Sequence, residues 1–204
     1  MTPIPIEAIE AIRAAGRRMD ARGWVPATAG NISLRLADGR IAITRSGVHK
    51  GFIPEDGVMT VDLEGRPEAS HLRPSAETGL HCGIYRRFPR AGAALHGHSV
   101  AATTLSRRRG DHVLLAGYEL LKAFPGLATH EAAIRLPILD NDQDIARLQA
   151  RVEQVWDADP AHPPGYILRG HGVYVWAEDM PGALMRLEAL EFMLACELEA
   201  ARLP

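Results

Sequence analysis

The chain has 204 residues, enough for one large domain or two small ones with a substantial core. Hydrophobic residues make up 47% and charged residues 24%, a globular rather than a disordered composition. A formal net charge of −2 gives no global field favouring nucleic acid or an anionic membrane, and no 18-residue apolar stretch is present.

Ile6, Ile9, Ile12, Ala15 and Met19 recur at helical spacing and predict a helix over 6–21, closed by Gly23. A hairpin follows, with 31–36 and 40–44 alternating around Asp38-Gly39. Val58 to Leu63 reads as a strand. Ser75 can cap a helix that runs to Phe88 and stops at Pro89. A strand carrying His96 and His98 comes next, then a helix-like stretch over 112–124 and a short strand over 134–139. Asn141 or Asp142 opens a helix with Ile145, Leu148, Val152 and Val155 on one face. Two strands, 166–168 and 173–176, flank a turn at His171. The last helix starts at Asp179 and is apolar over more than one stripe, so it is either sandwiched within the fold or shared with another subunit. The cluster Arg107-Arg108-Arg109 and the histidines His71, His112, His130 and His162 are expected in solvent.

Strands and helices are interleaved, and there is no repeat, low-complexity tract or linker. The expectation is one domain over 1–204, an α-β-α sandwich with a mixed, largely antiparallel central sheet. No GxGxxG or GxxxxGK[ST] stretch supports a nucleotide. Cys82 and Cys196 give no disulfide framework and the N-terminus has no signal-peptide core, so a reduced cytoplasmic protein is expected.

His96-Gly97-His98 stands directly behind the apolar run 91–95. In an extended strand, residues i and i+2 share a face, so both imidazoles can converge on one ion. The bland alternative is a coincidental polar pair, which the apolar lead-in disfavours. His171, between Gly170 and Gly172, offers a third ligand, and three histidines leave room for water or substrate. His81 is a possible fourth ligand or a helix-facing contact. Two glutamates are candidates for proton transfer. Glu77 opens a helix and could simply favour its dipole; Glu119 is a lone acid amid apolar neighbours and could be a surface residue. The stretches 28–33 and 44–51 combine exposed backbone amides with hydroxyl, amide or cationic groups and, with the helix start at Ser75, could hold a small phosphorylated substrate.

Gly30-Asn31-Ile32-Ser33, Ser46-Gly47, Ser75-Ala76-Glu77, His96-Gly97-His98 and Gly170-His171-Gly172 occur in an order that resembles the class II aldolase/adducin superfamily, over nearly the whole chain. The stretches 46–51, 118–122 and 171–176 look most like its methionine-salvage dehydratases. The resemblance implies one zinc ion per subunit on His96, His98 and His171, and phosphate binding near Gly30, Asn31, Ser46, Gly47 and Ser75. It further implies a small phosphorylated ketose as substrate and a homotetramer with active sites at subunit boundaries. The acid/base glutamate of those dehydratases falls on Glu119, and the glutamate that aldolase members use falls on Glu77. A sugar-phosphate aldolase is the alternative, disfavoured by the lack of a tyrosine after Tyr174. A metal-free adducin-like scaffold is the remaining one, disfavoured because all three ligands persist and no long basic tail is present.

Overall fold

The computed structural model describes residues 3–69, 71–159 and 161–203. Eight strands form one sheet in the order β3-β2-β1-β4-β8-β7-β6-β5. They are β1 (Asn31–Arg35), β2 (Ile41–Thr44), β3 (Val58–Val61), β4 (Ala93–Gly97), β5 (His112–Ala116), β6 (Ala133–Leu139), β7 (Gly165–Leu168) and β8 (Gly172–Ala177). Every neighbouring pair is antiparallel except β6 and β7. The expected mixed, largely antiparallel sheet is therefore present.

Alternation along the central strands explains the two helical layers. Ala93 and Leu95 of β4 and Val173, Val175 and Ala177 of β8 face one core, with α1 (Ile6–Ala21), α3 (Val100–Ser106) and α5 (Met180–Ala200). Ala94, Tyr174 and Trp176 face the other, with α2 (Thr78–Arg87) and α4 (Ile145–Ala158). His96 shares the parity of Ala94, which sends its ring toward the α2 side.

Five local expectations change. The stretch 112–124 is not a helix: β5 pairs with β6, Gly117 turns at φ +78°, and only a 3-10 turn, Glu119–Ala123, follows. α3 went unread; Ser99 caps it by accepting from the Ala102 N–H at 3.0 Å. α2 starts at Thr78, so Ser75 precedes the helix and accepts only from the Glu77 N–H, at 3.4 Å. α4 is capped by Asp144 rather than Asn141 or Asp142. His162 is half-buried beside Phe88, Trp156 and Trp176 instead of facing solvent.

α5 buries Ala183, Leu187, Leu190 and Leu194 but leaves Met185 and Phe192 more than half exposed. It also carries Glu191 inward, where neither carboxylate oxygen has a partner among the described residues. No described helix is long and apolar enough to cross a membrane.

Candidate active site

The site is assembled where β1, β4 and β8 lie side by side. Asn31 is in register with His96, and His96 with Tyr174. The strands meet tightly here. A side chain at Gly30 (φ +79°) would place Cβ 2.6 Å from the His96 carbonyl oxygen, and one at Gly172 would place it 2.1 Å from that of Gly97. Both positions require glycine.

His96 is wholly buried, stacked on Tyr174 with centroids 3.9 Å apart. Its Nδ1 lies 3.0 Å from the Val173 carbonyl, which can only accept, so the proton sits on Nδ1 and Nε2 keeps its lone pair. His98, one residue beyond β4, is anchored by its N–H to the Trp24 carbonyl at 2.6 Å and brings its Nε2 to 2.8 Å from that of His96. His171 sits in the β7–β8 turn, its carbonyl held by the Thr103 hydroxyl at 2.9 Å. Glu77, just before α2, completes the group. One carboxylate oxygen is 2.9 Å from His171 Nε2; the other accepts from Asn31 Nδ2 at 2.6 Å and lies 3.4 Å from His96 Nε2. Ligand atoms of these four residues all fall within 4.8 Å of one another.

Burial drives the His96 imidazole well below its ordinary range and brings His98 to about 4, so both are neutral at pH 7. Burial alone would raise Glu77, but the imidazoles of His96, His171 and His98 outweigh it and hold the carboxyl at about 2. Neutral imidazole nitrogens converging beside an ionised carboxylate are the donor set of a first-row divalent metal. The Nε2 lone pair of His96, facing the His98 ring nitrogen at 2.8 Å, fits such an ion.

A cavity of about 390 Å³ opens in front of the group. Glu77, His98 and His171 line it, as do all five residues expected near phosphate: Gly30, Asn31, Ser46, Gly47 and Ser75. One N–H of the Asn31 side-chain amide is committed to Glu77. His81 is not a member of the group: its buried Nδ1 meets the Ser33 hydroxyl at 2.7 Å. Asn141, which faces His171 Nδ1 at 3.4 Å, also lines the cavity and was not singled out by sequence; Lys50, from the 44–51 stretch, lines it too.

Glu119 is elsewhere in the chain. β6 and β7 run toward the histidine end of the sheet, whereas β5 runs away from it and delivers the 119–123 turn at its far end. There Glu119 is exposed and pairs with Lys122 at 2.5 Å, which lowers its carboxyl. Within one chain it lines no part of the cavity.

Residues 10–198 match the family model described as class II aldolase and adducin N-terminal domain. The chain is 61% identical over 193 residues to the methylthioribulose-1-phosphate dehydratase of Gluconacetobacter diazotrophicus, covering 94% of this chain and 93% of that one. It is 59% identical over 198 residues to the protein of the same name from Granulibacter bethesdensis, covering 94% and 91%. Among solved structures, an L-fuculose 1-phosphate aldolase superposes with a TM-score of 0.80 at 18% identity, over 98% of this chain and 88% of that chain, a likeness of fold alone. The chain belongs to the class II aldolase and adducin family, in the branch of the methylthioribulose-1-phosphate dehydratases.

Proposed function

We propose that the protein dehydrates 5-methylthioribulose 1-phosphate to 2,3-diketo-5-methylthiopentyl 1-phosphate, in methionine salvage. The observation that carries this reading is one cavity lined by His98, His171, Glu77 and the five residues expected near phosphate, with buried His96 in the same ligand group. His96, His98 and His171 would hold the zinc, which would supply Lewis acidity to polarise the substrate carbonyl and acidify the C3 proton.

The remaining chemistry needs proton transfers. A base removes the C3 proton, an acid protonates the departing C4 hydroxyl, and the resulting enol takes a proton at C4 to give the diketone. Glu77 has one oxygen on Asn31 and the other on His171, and in this reading it orients those partners. Glu119 has free carboxylate surface and is the acid/base in this reading. In this reading a neighbouring subunit delivers it, in a homotetramer with shared sites, which fits its place outside the cavity of its own chain. The backbone amides at Gly30, Asn31 and Gly47, the Ser46 and Ser75 hydroxyls and the nearby start of α2 hold the phosphate.

The test is incubation of the zinc-loaded protein with methylthioribulose 1-phosphate, following diketone absorbance and the mass loss of one water. Cleavage into two smaller fragments instead would make the protein an aldolase.

A further inference from the structure

The cavity floor holds a cation that the proposed reaction does not use. Lys50 lines it and is only 2% exposed, an extreme position for an ammonium. Its Nζ donates to the Thr28 carbonyl at 2.6 Å and to the Val48 carbonyl at 2.7 Å. Those carbonyls belong to the two turns, 28–31 and 45–48, whose backbone faces the cavity. One ammonium therefore ties both turns together. An ammonium has three N–H donors, and the third has no partner among the described residues. The backbone around Lys50 is fixed as well, since a side chain at Gly16 would come within 2.1 Å of the Lys50 carbonyl oxygen.

The choice of lysine is informative. Of the 23 basic residues only Lys50 and Lys122 are lysines. A guanidinium presents a planar fork, whereas an ammonium can meet two carbonyls and a third acceptor in three directions. Burial pulls Lys50 down to about 8, against the pull of Glu77, which leaves it largely protonated at pH 7.

We propose that Lys50 is a phosphate-binding residue of this site, sitting beneath both turns, spending two donors to set their spacing and offering its third donor and its charge to a phosphate monoester. This rests on the reading of the substrate as a sugar phosphate.

Lys50→Met keeps the length and volume of the stem and removes the charge. The inhibition constant of inorganic phosphate and the KM for the ketose phosphate are expected to rise roughly 10-fold or more, as for loss of one charge-assisted contact. Zinc content should be unchanged, and kcat/KM should fall further for the ketose phosphate than for the same ketose lacking phosphate. A folded variant with unaltered phosphate inhibition overturns the inference, as does equal loss on both ketoses, which marks a merely structural lysine. Wild type gives a second reading that does not depend on the variant folding. With ¹⁵N-lysine labelling only two ammonium signals exist, and Lys122→Arg, made for assignment alone, removes one. Inorganic phosphate should shift the Lys50 signal. Phosphate that inhibits without shifting it sinks this inference only. Phosphate that neither inhibits nor shifts it, while the ketose phosphate is still turned over, sinks the phosphate reading of the cavity together with it.

Discussion

The ring nitrogens of His96 and His98 face one another at 2.8 Å, and His96 has its only proton committed to the Val173 carbonyl. Two nitrogen lone pairs brought this close in a buried site call for a cation between them or a proton on His98. A metal satisfies both rings together with His171.

About one zinc per chain is therefore expected by elemental analysis of purified protein. His96→Ala, His98→Ala and His171→Ala should each lower zinc content and activity together. Chelation should stop turnover well before the protein unfolds, because the two cores flanking the sheet do not depend on an ion. Full zinc occupancy in His171→Ala would remove that residue from the site.

Glu119→Gln is expected to retain zinc and substrate affinity while losing turnover by at least ~100-fold, the usual scale for a positioned proton transfer. Because Glu119 lies outside the cavity of its own chain, mixing inactive Glu119→Gln subunits with inactive His98→Ala subunits should regenerate active sites in the hybrids. Hybrid tetramers that form yet recover nothing would contradict subunit sharing. A monomer by sedimentation that is fully active would do the same.

Glu191 gives a pH signature. Burial pushes its carboxyl up to about 7, against an ordinary value of 4.5. A raised folded value means that this group's contribution to stability is fully present below about pH 4.5 and is lost as pH rises through about 7. Glu191→Gln cannot ionise. Its melting temperature should exceed that of wild type at pH 8, by an amount corresponding to at most about 3 kcal/mol, and the gap should close toward pH 4.5. A gap independent of pH would show that the carboxyl is partnered in the assembled protein.

Gly30→Ala should be among the most damaging single-methyl additions. The new Cβ would meet the His96 carbonyl at 2.6 Å and Val25 Cγ1 at 2.7 Å, from a left-handed backbone. Strain and overpacking together cost about 2–5 kcal/mol. Because the clash lands on His96, zinc affinity should fall with stability; denaturant unfolding and metal titration on the same sample check both.

Much of this was legible in the sequence, for identifiable reasons. α1 and the β1–β2 hairpin have strong local periodicity and a glycine turn, and they fall where expected. The histidine triad was legible because two ligands are adjacent in one strand and the third sits between glycines. β5 was misread because His112–Ala116 is an edge strand with an uneven burial pattern, and an edge carries no clean period of two. α3 is seven residues long, too short for its spacing to stand out. Lys50 was invisible as a buried cation because its partners, Thr28 and Val48, act through backbone carbonyls that have no sequence signature. Likewise, nothing local pairs Asn31 with Glu77, 46 residues away.

The single parallel pairing in the sheet has a further consequence. Because β6 and β7 leave the sheet at the same end, the chain crosses the mouth of the cavity twice, once at 141–143 and once at His171. The histidines sit at the ends of the central strands, whereas 141–143 belongs to a connection whose length no strand register dictates. Apart from Asn141, which faces His171, that β6–α4 connection can change in length and polarity, and so alter what the cavity admits, while the strands keep the ligands in place.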